Sequence, residues 1–288
     1  MTRRTESAIS VWPAPAKINL FLHVTGRRAD GYHELQTLFQ LLDWGDEVSI
    51  RATPGAAITR GAADYPVAAE EDLAIRAARL LQRHTECREG AEISVRKRIP
   101  LGSGMGGGSS NAATVLLALN RLWASGLGLA ELSALGAGLG ADVPVFVQGD
   151  TALATGIGDR LHPVRLGRRH YVLVFPGIAI GTREIFTDPE LARDSRELSK
   201  AEALAGEGRN DCEAVVRKRF PAMAEAADRL QKWGRPRMTG TGSGIFLQMD
   251  SEKQARSAAR EIKNLYNVRA VIGVDRSPLH HRLDSFGN

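Results

Sequence analysis

The stretch RKRIPLGSGMGGGSSNAATVLLALNRLW, residues 96–123, places a run of glycines directly in front of a helical pattern. Glycine occupies positions 102, 104, 106, 107 and 108, and two serines follow at 109 and 110. From about Asn111 the apolar residues recur at the spacing of one helix face, which predicts a helix. Because glycine has no Cβ and adopts positive φ readily, such a run lets the backbone approach a bulky ligand closely.

Phosphate is the ligand that this arrangement favours. A loop that enters a helix N-terminus aims several backbone N–H groups at one point, and the helix dipole adds positive potential there. Ser109 and Ser110 would cap the helix or offer hydroxyls to a phosphate or to a phosphate-bound metal. The alternative is a flexible turn with an N-cap and no ligand. The coincidence of glycines, serines and helix start favours phosphate binding.

Two known phosphate-binding patterns do not fit the run. The Walker A pattern ends in Gly-Lys-Ser or Gly-Lys-Thr, and a serine rather than a lysine follows Gly108. The dinucleotide fingerprint can be placed on Gly102, Gly104 and Gly107, but it requires an acidic residue about twenty positions further on. An asparagine and an arginine stand at positions 120 and 121 instead.

Composition restricts the class of protein only broadly. The chain has 288 residues, 43% hydrophobic and 25% charged, as in a globular protein of one large or two smaller domains. Its net charge of +5 fits an acidic small molecule and also weak nucleic-acid binding. Cys87 and Cys212 show no CxxC spacing, so a disulfide framework and a zinc site are poorly supported. No apolar run has the length of a signal-peptide core or a membrane span, so a cytoplasmic protein without a membrane partner is expected.

Periodicity predicts the order of the elements. In AKINLFLHV, residues 16–24, the alternation predicts a strand with one buried face. EEDLAIRAARLLQRH, residues 70–84, predicts a helix with acidic residues in its first turn. Because Pro144 disfavours helical geometry in the residue before it, residues 143–164 are predicted as strand, turn and strand. After the basic link RLGRRH, the second half is predicted as a strand at 171–176, a helix at 210–233, a strand at 236–249, a helix at 251–265 and a strand at 268–275.

The motif PLGSGMGGGSSNAA resembles the second motif of the GHMP kinases, small-molecule kinases named for galactose, homoserine, mevalonate and phosphomevalonate. APAKINLFLHVTGRRADGYHEL resembles the first motif of one branch, GADVPVFVQG follows at the expected place, and TGTGSGIFL resembles the third motif. The Lys-Ile-Asn and Asp-Gly-Tyr-His elements select the branch that acts on a CDP-linked methylerythritol. The match runs the length of the chain.

This resemblance implies a two-domain α+β fold with the active site between the domains. The N-terminal domain, residues 1–166, would be like that of ribosomal protein S5, and the C-terminal domain, residues 167–288, would be ferredoxin-like. The implied reaction is ATP-dependent phosphorylation of the 2-hydroxyl of the CDP-linked methylerythritol in the non-mevalonate route to isoprenoid precursors. Mg²⁺ should accompany ATP. No dedicated cage of acids is visible, so phosphate oxygens, waters and Ser109 or Ser110 would supply its ligands. The expected partner is this small molecule and no nucleic acid, and the expected state is a monomer or weak homodimer.

The resemblance assigns catalysis to Asp142 and Lys17. Asp142 would accept the proton of the acceptor hydroxyl or polarise it. Lys17 would lie beside Asp142 and stabilise charge on the acceptor oxygen. Asn19 shares the strand face of Lys17 and would bind a substrate hydroxyl or an active-site group. From the residues alone, Asp142 could equally cap or end a helix, and Lys17 could be a solvated charge at a strand edge.

The resemblance also assigns the two binding regions. Tyr32 and Phe186 would stack on the two sides of the cytosine while an imidazole or nearby backbone reads its polar edge, although both rings could be ordinary packing residues. The implied substrate contacts are Asn19, Tyr32, His33, Thr182, Phe186, Gly242 and Ser243. The implied ATP contacts are Pro100, Leu101, Gly102, Ser103, Gly104, Met105, Gly106, Gly107, Gly108, Ser109 and Ser110.

Three positions depart from the branch, and two other functions stay open. Ser103 interrupts a glycine triplet and restricts φ, and Cys212 replaces a leucine as a packing substitution. Asp72 stands where an asparagine near the nucleotide is usual, and an ionised carboxylate cannot donate a hydrogen bond there. The alternatives are another GHMP kinase, of the homoserine or mevalonate type, and an RNA-binding module. Scattered basic residues and the lack of an aromatic-basic motif argue against RNA binding.

Overall fold

A computed structural model describes residues 8–63 and 65–286 as one mixed sheet with helices packed against it. The first half of the chain contains β1 (Ser10–Arg27), β2 (His33–Thr53), β3 (Ile58–Ala63), α1 (Leu73–His84), β4 (Gly90–Arg96), α2 (Gly107–Leu122), α3 (Leu129–Ala137), α4 (Val143–Gln148), β5 (Ala152–Thr155) and β6 (Arg160–Pro163). The second half contains β7 (Arg169–Phe175), α5 (Thr182–Phe186), α6 (Lys200–Ala205), α7 (Asp211–Arg219), α8 (Pro221–Leu230), β8 (Pro236–Met238), β9 (Ile245–Met249), α9 (Glu252–Ile262), β10 (Asn267–Val274) and α10 (Pro278–Asp284). Residues 1–7, part of the N-terminal segment for which no signal-peptide core is expected, lie outside the described residues.

The long strand β2 links the two halves of the sheet. The main strand order is β3-β4-β2-β10-β7-β9-β8, and β1 and β5 also pair with β2. β10 comes from the second half of the chain, yet Gly273 lies opposite Leu42 of β2. The sheet is therefore continuous across the basic link between β6 and β7. The domain limits 1–166 and 167–288 stay a prediction.

Side chains from both halves share part of the core. One cluster of buried residues belongs mainly to β1, β2, α1, α2 and α4, and a second belongs mainly to β7, α7, α8 and α9. A third cluster joins Ile18 and Leu38 of the first half to Tyr171 and Phe246 of the second. This shared core fixes the position of β1 relative to the second half, and the candidate site lies along that junction.

The prediction of one buried face for residues 16–24 was wrong, because β1 is buried on both faces. The pairing of β1 with β2 shifts register between Asn19 and Leu22. Phe21 and Leu22 belong to two different clusters of the core. Lys17 and Asn19, which the alternation placed on a polar face, are each 3% exposed. Polar side chains buried to this extent require partners inside the protein.

Helix α2 begins inside the glycine run, four residues before the predicted start at Asn111. Its N-cap position is Gly106, with φ of 72°, and no side chain caps it. Ser109 and Ser110 lie in the first turn and do not act as caps, contrary to one of the two roles considered for them. The N–H groups at this end of the helix consequently have no side-chain cap.

Residues Val143–Gln148 form the short helix α4 and not the predicted strand. Pro144 occupies the first turn of this helix, where its missing N–H removes no helical hydrogen bond. The rest of the segment predicted as strand, turn and strand contains two short antiparallel strands, β5 and β6. Asp142 therefore lies at the start of a helix instead of at the start of a strand.

The limits of three further elements differ from those predicted from the sequence. Helix α1 has no acidic residue in its first turn, because Asp72 is its N-cap and accepts from the Ala74 N–H at 3.0 Å. The helix predicted over 210–233 divides into α7 and α8 at Pro221. The strand predicted over 236–249 is a pair of antiparallel strands, β8 and β9, joined by the third glycine motif.

No helix in the described part of the chain combines the length and apolar character needed to cross a bilayer.

Candidate active site

A cavity of about 1050 Å³ lies at the junction of the two halves. The end of β1, the turn before β2 and the glycine loop form its first-half wall. Helix α5 and the third glycine motif contribute from the second half. Asp142 lines the same cavity. The structure therefore brings together residues that are far apart in the sequence.

The glycine loop has a backbone that other residues could not adopt without strain. Gly102, Gly104 and Gly106 have φ of 67°, 69° and 72°. A Cβ on Gly104 would lie 2.3 Å from the carbonyl oxygen of Thr239, and one on Gly106 would lie 2.8 Å from the Phe146 ring. The loop then leads into the uncapped N-terminus of α2. This geometry supplies backbone N–H groups and helix dipole at one point of the cavity.

The third glycine motif lies behind this loop. The Ser243 N–H donates to the Gly102 carbonyl at 3.0 Å, and the Gly244 N–H donates to the Ser103 carbonyl at 3.1 Å. Gly240 and Thr241 of the motif line the cavity. Ser243 thus supports the glycine loop, and neither it nor Gly242 is among the residues that line the cavity. The role of Gly242 and Ser243 as substrate contacts stays a prediction.

Lys17 is a buried ammonium with three oxygen acceptors. Its Nζ lies 2.7 Å from Asn19 Oδ1, 3.2 Å from the Gly104 carbonyl oxygen and 3.1 Å from Asp142 Oδ2. Its side chain is 4% exposed, which excludes the alternative of a solvated charge at a strand edge. The Lys17 N–H also donates to the Met105 carbonyl at 3.1 Å, so β1 holds the glycine loop directly.

Asp142 has a carboxylate that faces the cavity. It immediately precedes α4, but its side chain makes no capping hydrogen bond there. The side chain is 32% exposed and forms the ion pair with Lys17. The simple helix-cap alternative therefore does not describe this residue. An ammonium and a carboxylate side by side offer positive charge and a proton acceptor to one ligand atom.

Asn19 fixes the orientation of Lys17. Its Oδ1 accepts from Lys17, its Nδ2 donates to Thr37 Oγ1 at 2.9 Å, and its backbone N–H donates to Thr239 Oγ1 at 2.9 Å. The side chain lines the cavity and is nearly inaccessible. Of the two roles considered for it, this geometry supports the contact to an active-site group.

Aromatic residues line a further part of the cavity. Tyr32 is 61% exposed on the turn before β2, and Phe186 lies at the end of α5. The exposure of Tyr32 excludes ordinary core packing for that ring, whereas Phe186 packs partly against the second core cluster and also lines the cavity. The His33 ring lies between strand and helix, 5.2 Å from the Phe186 ring centroid. Thr182 lines the same region, with its hydroxyl 3.2 Å from that of Thr241.

Comparison with known proteins places the chain in a family. Residues 72–150 match the family model for the GHMP kinases N terminal domain. A protein of Halorhodospira halophila named 4-diphosphocytidyl-2-C-methyl-D-erythritol kinase is 51% identical over 94% of this chain and 95% of its own length. The chain belongs to the 4-diphosphocytidyl-2-C-methyl-D-erythritol kinase family. A member from Pseudoalteromonas atlantica is 46% identical over 98% of this chain and 99% of its own length.

Solved structures confirm the predicted GHMP kinase fold and the α+β class. A crystal structure of 4-(cytidine 5'-diphospho)-2C-methyl-D-erythritol kinase superposes with a TM-score of 0.80 and 35% identity, covering 92% of this chain and all of that one. The Methanococcus jannaschii mevalonate kinase superposes with a TM-score of 0.67 at 13% identity, covering 95% of this chain and all of that one. At this low identity, the similarity to mevalonate kinase is evidence for the fold alone.

Lys97 lines the cavity, and the buried carboxylate of Asp46 supports the wall next to it. Asp46 is buried and accepts from the backbone N–H groups of Arg98 and Ile99 at 2.7 and 2.8 Å, and from Asn111 Nδ2 at 3.0 Å. Lys97 pairs with the same carboxylate and lines the cavity. Asp46 therefore ties the entry of the glycine loop to α2. A lone acidic residue in a strand carries no sequence signal for this role.

The three departures from the family pattern each have protein partners. Ser103 is not among the residues with positive φ, so it needs none of the freedom of a glycine. Asp72 is 6% exposed, caps α1, accepts a hydrogen bond from Tyr65 Oη at 2.5 Å and forms an ion pair with Arg60, whose Nε lies 3.3 Å from Asp72 Oδ2. Burial, and then the hydrogen bond to Asp72, raises the pKa of Tyr65. Cys212 is fully buried in the second core cluster, as a packing residue would be.

Proposed function

We propose that this chain is the ATP-dependent kinase that phosphorylates the 2-hydroxyl of 4-diphosphocytidyl-2-C-methyl-D-erythritol in the non-mevalonate isoprenoid pathway. The observation that carries the proposal is one cavity lined by a glycine loop, a lysine–aspartate pair and two aromatic rings. The loop fits the phosphates of a phosphoryl donor, the lysine–aspartate pair fits an acceptor hydroxyl, and the aromatic rings fit a pyrimidine. Close relatives that bear the name of this enzyme cover nearly the whole chain.

The glycine loop would hold the phosphates of ATP. Residues 100–110 bring glycines with positive φ to the uncapped start of α2, and a Cβ at Gly104 or Gly106 would collide with its surroundings. The first N–H groups of a helix have no intrahelical acceptor, so phosphate oxygens can accept from them. Lys97 lies in the same wall, where its ammonium is held by Asp46.

The residues around the loop fit a phosphate-bound Mg²⁺ better than a protein-held one. Among the residues described, no group of three or more His, Cys, Asp and Glu side chains is placed to hold a metal. Ser109 lines the cavity, and the buried Ser110 hydroxyl has no hydrogen-bond partner among the described atoms. One of these hydroxyls would contribute a ligand. The ion would neutralise charge on the phosphates.

Lys17 and Asp142 would act on the acceptor hydroxyl. In phosphoryl transfer the hydroxyl oxygen forms a bond to the γ-phosphorus as the bond to the β-phosphate oxygen breaks, and the hydroxyl proton leaves. Asp142 accepts that proton or orients the hydroxyl, and its part-exposed carboxylate is open to the cavity. Lys17 stabilises charge on the acceptor oxygen. Asn19 and the Gly104 carbonyl hold the ammonium in place, so it needs no rearrangement during the reaction.

Tyr32 and Phe186 would hold the cytosine of the substrate. A pyrimidine presents a flat face on each side, and aromatic rings stack on such faces. His33 would read its polar edge, and Thr182 would contact the substrate nearby. The distance along the cavity from these rings to Lys17 would be spanned by the diphosphate and the methylerythritol.

An acceptor panel tests the proposal. ATP consumption is measured with 4-diphosphocytidyl-2-C-methyl-D-erythritol, with the same sugar alcohol lacking CDP, with mevalonate and with homoserine. The CDP-linked acceptor alone should support turnover. Turnover with mevalonate or homoserine instead would contradict the proposal, as would salt-sensitive RNA binding that ATP does not affect. A cytoplasmic location and a monomeric or weakly dimeric state stay predictions.

A further inference from the structure

Arg193 lies behind the aromatic wall of the cavity, in the irregular segment after α5. Its half-buried guanidinium donates four hydrogen bonds, two of them to residues of that wall. Nε donates to His33 Nε2 at 3.1 Å, and one terminal nitrogen donates to the Leu191 carbonyl at 2.9 Å. The other terminal nitrogen donates to the carbonyl oxygens of Phe186 at 3.1 Å and Asp188 at 2.6 Å.

These bonds connect two elements that bear the pyrimidine-binding residues. His33 begins β2 in the first half of the chain, and Phe186 ends α5 in the second half. The guanidinium is a rigid planar fork, so acceptors bound to it hold a fixed relation to one another. The His33 and Phe186 rings accordingly lie 5.2 Å apart with an angle of 30° between their planes.

The same contact defines the protonation state of His33. A guanidinium has no hydrogen-bond acceptor, so His33 Nε2 must be the acceptor and the ring proton must lie on Nδ1. Burial, and then the positive charges of Arg193 and Arg27, lowers the pKa of His33. Both considerations keep the imidazole neutral.

We propose that Arg193 is a positioning residue that sets the affinity for the pyrimidine end of the substrate by holding His33 and Phe186 in one arrangement. Arg193 itself is not part of the cavity lining, so it acts through these two residues. The glycine loop receives none of its four bonds, and ATP binding is therefore independent of it. The inference rests on the proposed function, because that function supplies the pyrimidine.

Arg219 provides a matched control, because it contacts the same segment from another helix. It projects from α7 and pairs with the carboxylates of Asp188 and Glu184, the latter at 3.5 Å. Its ion pairs thus anchor α5 and Asp188, two residues after the helix, without reaching the Phe186 carbonyl or His33. A purely structural effect on the segment should appear in variants of either arginine. A positioning effect should appear for Arg193 alone.

The experiment compares Arg193→Gln, Arg193→Lys and Arg219→Gln with the wild-type chain. Steady-state kinetics give KM for ATP and for 4-diphosphocytidyl-2-C-methyl-D-erythritol, and ¹⁵N NMR gives the tautomer and pKa of His33. Arg193→Gln should raise KM for the CDP-linked substrate by about tenfold or more, the equivalent of one charged hydrogen bond. KM for ATP should not change, and the His33 pKa should rise. Arg193→Lys should restore only part of the affinity, because an ammonium lacks the planar fork.

Two results would overturn the inference. One is an unchanged KM for the CDP-linked substrate in folded Arg193→Gln, or in Arg193→Lys if the glutamine variant does not fold. The other is an equal rise in KM in Arg219→Gln. If the wild-type chain shows no turnover with the CDP-linked substrate, the proposed function fails instead. The NMR signals of His33 in the Arg193 variants then still report whether the contact positions the ring.

Discussion

Replacement of Asp142 by asparagine separates the chemical role of its carboxylate from its structural one. The asparagine carbonyl can still accept a hydrogen bond from Lys17, so the geometry around the ammonium is retained while the negative charge is lost. Lys17 also keeps its bonds to Asn19 Oδ1 and the Gly104 carbonyl. Because the pair is part-exposed on the Asp142 side, the variant should lose only about 1 kcal/mol of unfolding free energy.

The effect on turnover should be much larger. Loss of a group that accepts or orients the transferred proton lowers kcat by about 10²- to 10⁴-fold, equivalent to about 3–5 kcal/mol of activation free energy. Asp150→Asn is the matched control, since Asp150 forms a 2.9 Å ion pair with Arg276 and its side chain is 35% exposed, close to the 32% of Asp142. This control should show a similar change in thermal unfolding with normal kcat. Near wild-type turnover in folded Asp142→Asn would refute the assignment of Asp142 to catalysis.

Two further predictions follow from backbone geometry and burial. Gly106→Ala should lower the free energy of unfolding by about 2–4 kcal/mol, because it combines strain at positive φ with a collision against the Phe146 ring. Gly167→Ala, at φ of 70° with open space around it, should lower it by only about 1–2 kcal/mol. Equal losses of the two variants in denaturant unfolding would contradict this prediction. Burial raises the pKa of Cys212 to about 12, so a thiol reagent at pH 8 should modify the half-buried Cys87 and reach Cys212 only after unfolding. Because the folded pKa of Cys212 is the higher one, its contribution to stability is complete below the unfolded pKa and is lost as pH rises through the folded value.

The site was more predictable from the sequence than the elements that carry it. The glycine run indicates a phosphate loop through simple physics, because glycines without Cβ precede a helix start. The proximity of Lys17 and Asp142 came from the family resemblance, since nothing in local pattern relates a strand residue to one so distant in the chain. The same holds for Tyr32 and Phe186, which lie in different halves of the molecule.

Two kinds of prediction failed for physical reasons. Pro144 was interpreted through its effect on the preceding residue, but a proline in the first turn of a helix is favourable, and tertiary packing of α4 decided between the two. The alternation in residues 16–24 predicted one buried face, but residues from the second half of the chain pack against this strand and both faces are buried. No sequence pattern predicts the role of Arg193, because three of its four hydrogen-bond acceptors are backbone carbonyls whose positions depend on the folded chain.

A crystal structure with a nonhydrolysable ATP analogue and the CDP-linked substrate tests the central claim most directly. The triphosphate should lie against the backbone N–H groups of residues 102–110, with its γ-phosphorus directed at a hydroxyl next to Lys17 and Asp142. A nucleotide bound elsewhere, or an acceptor hydroxyl far from these two side chains, would contradict the account.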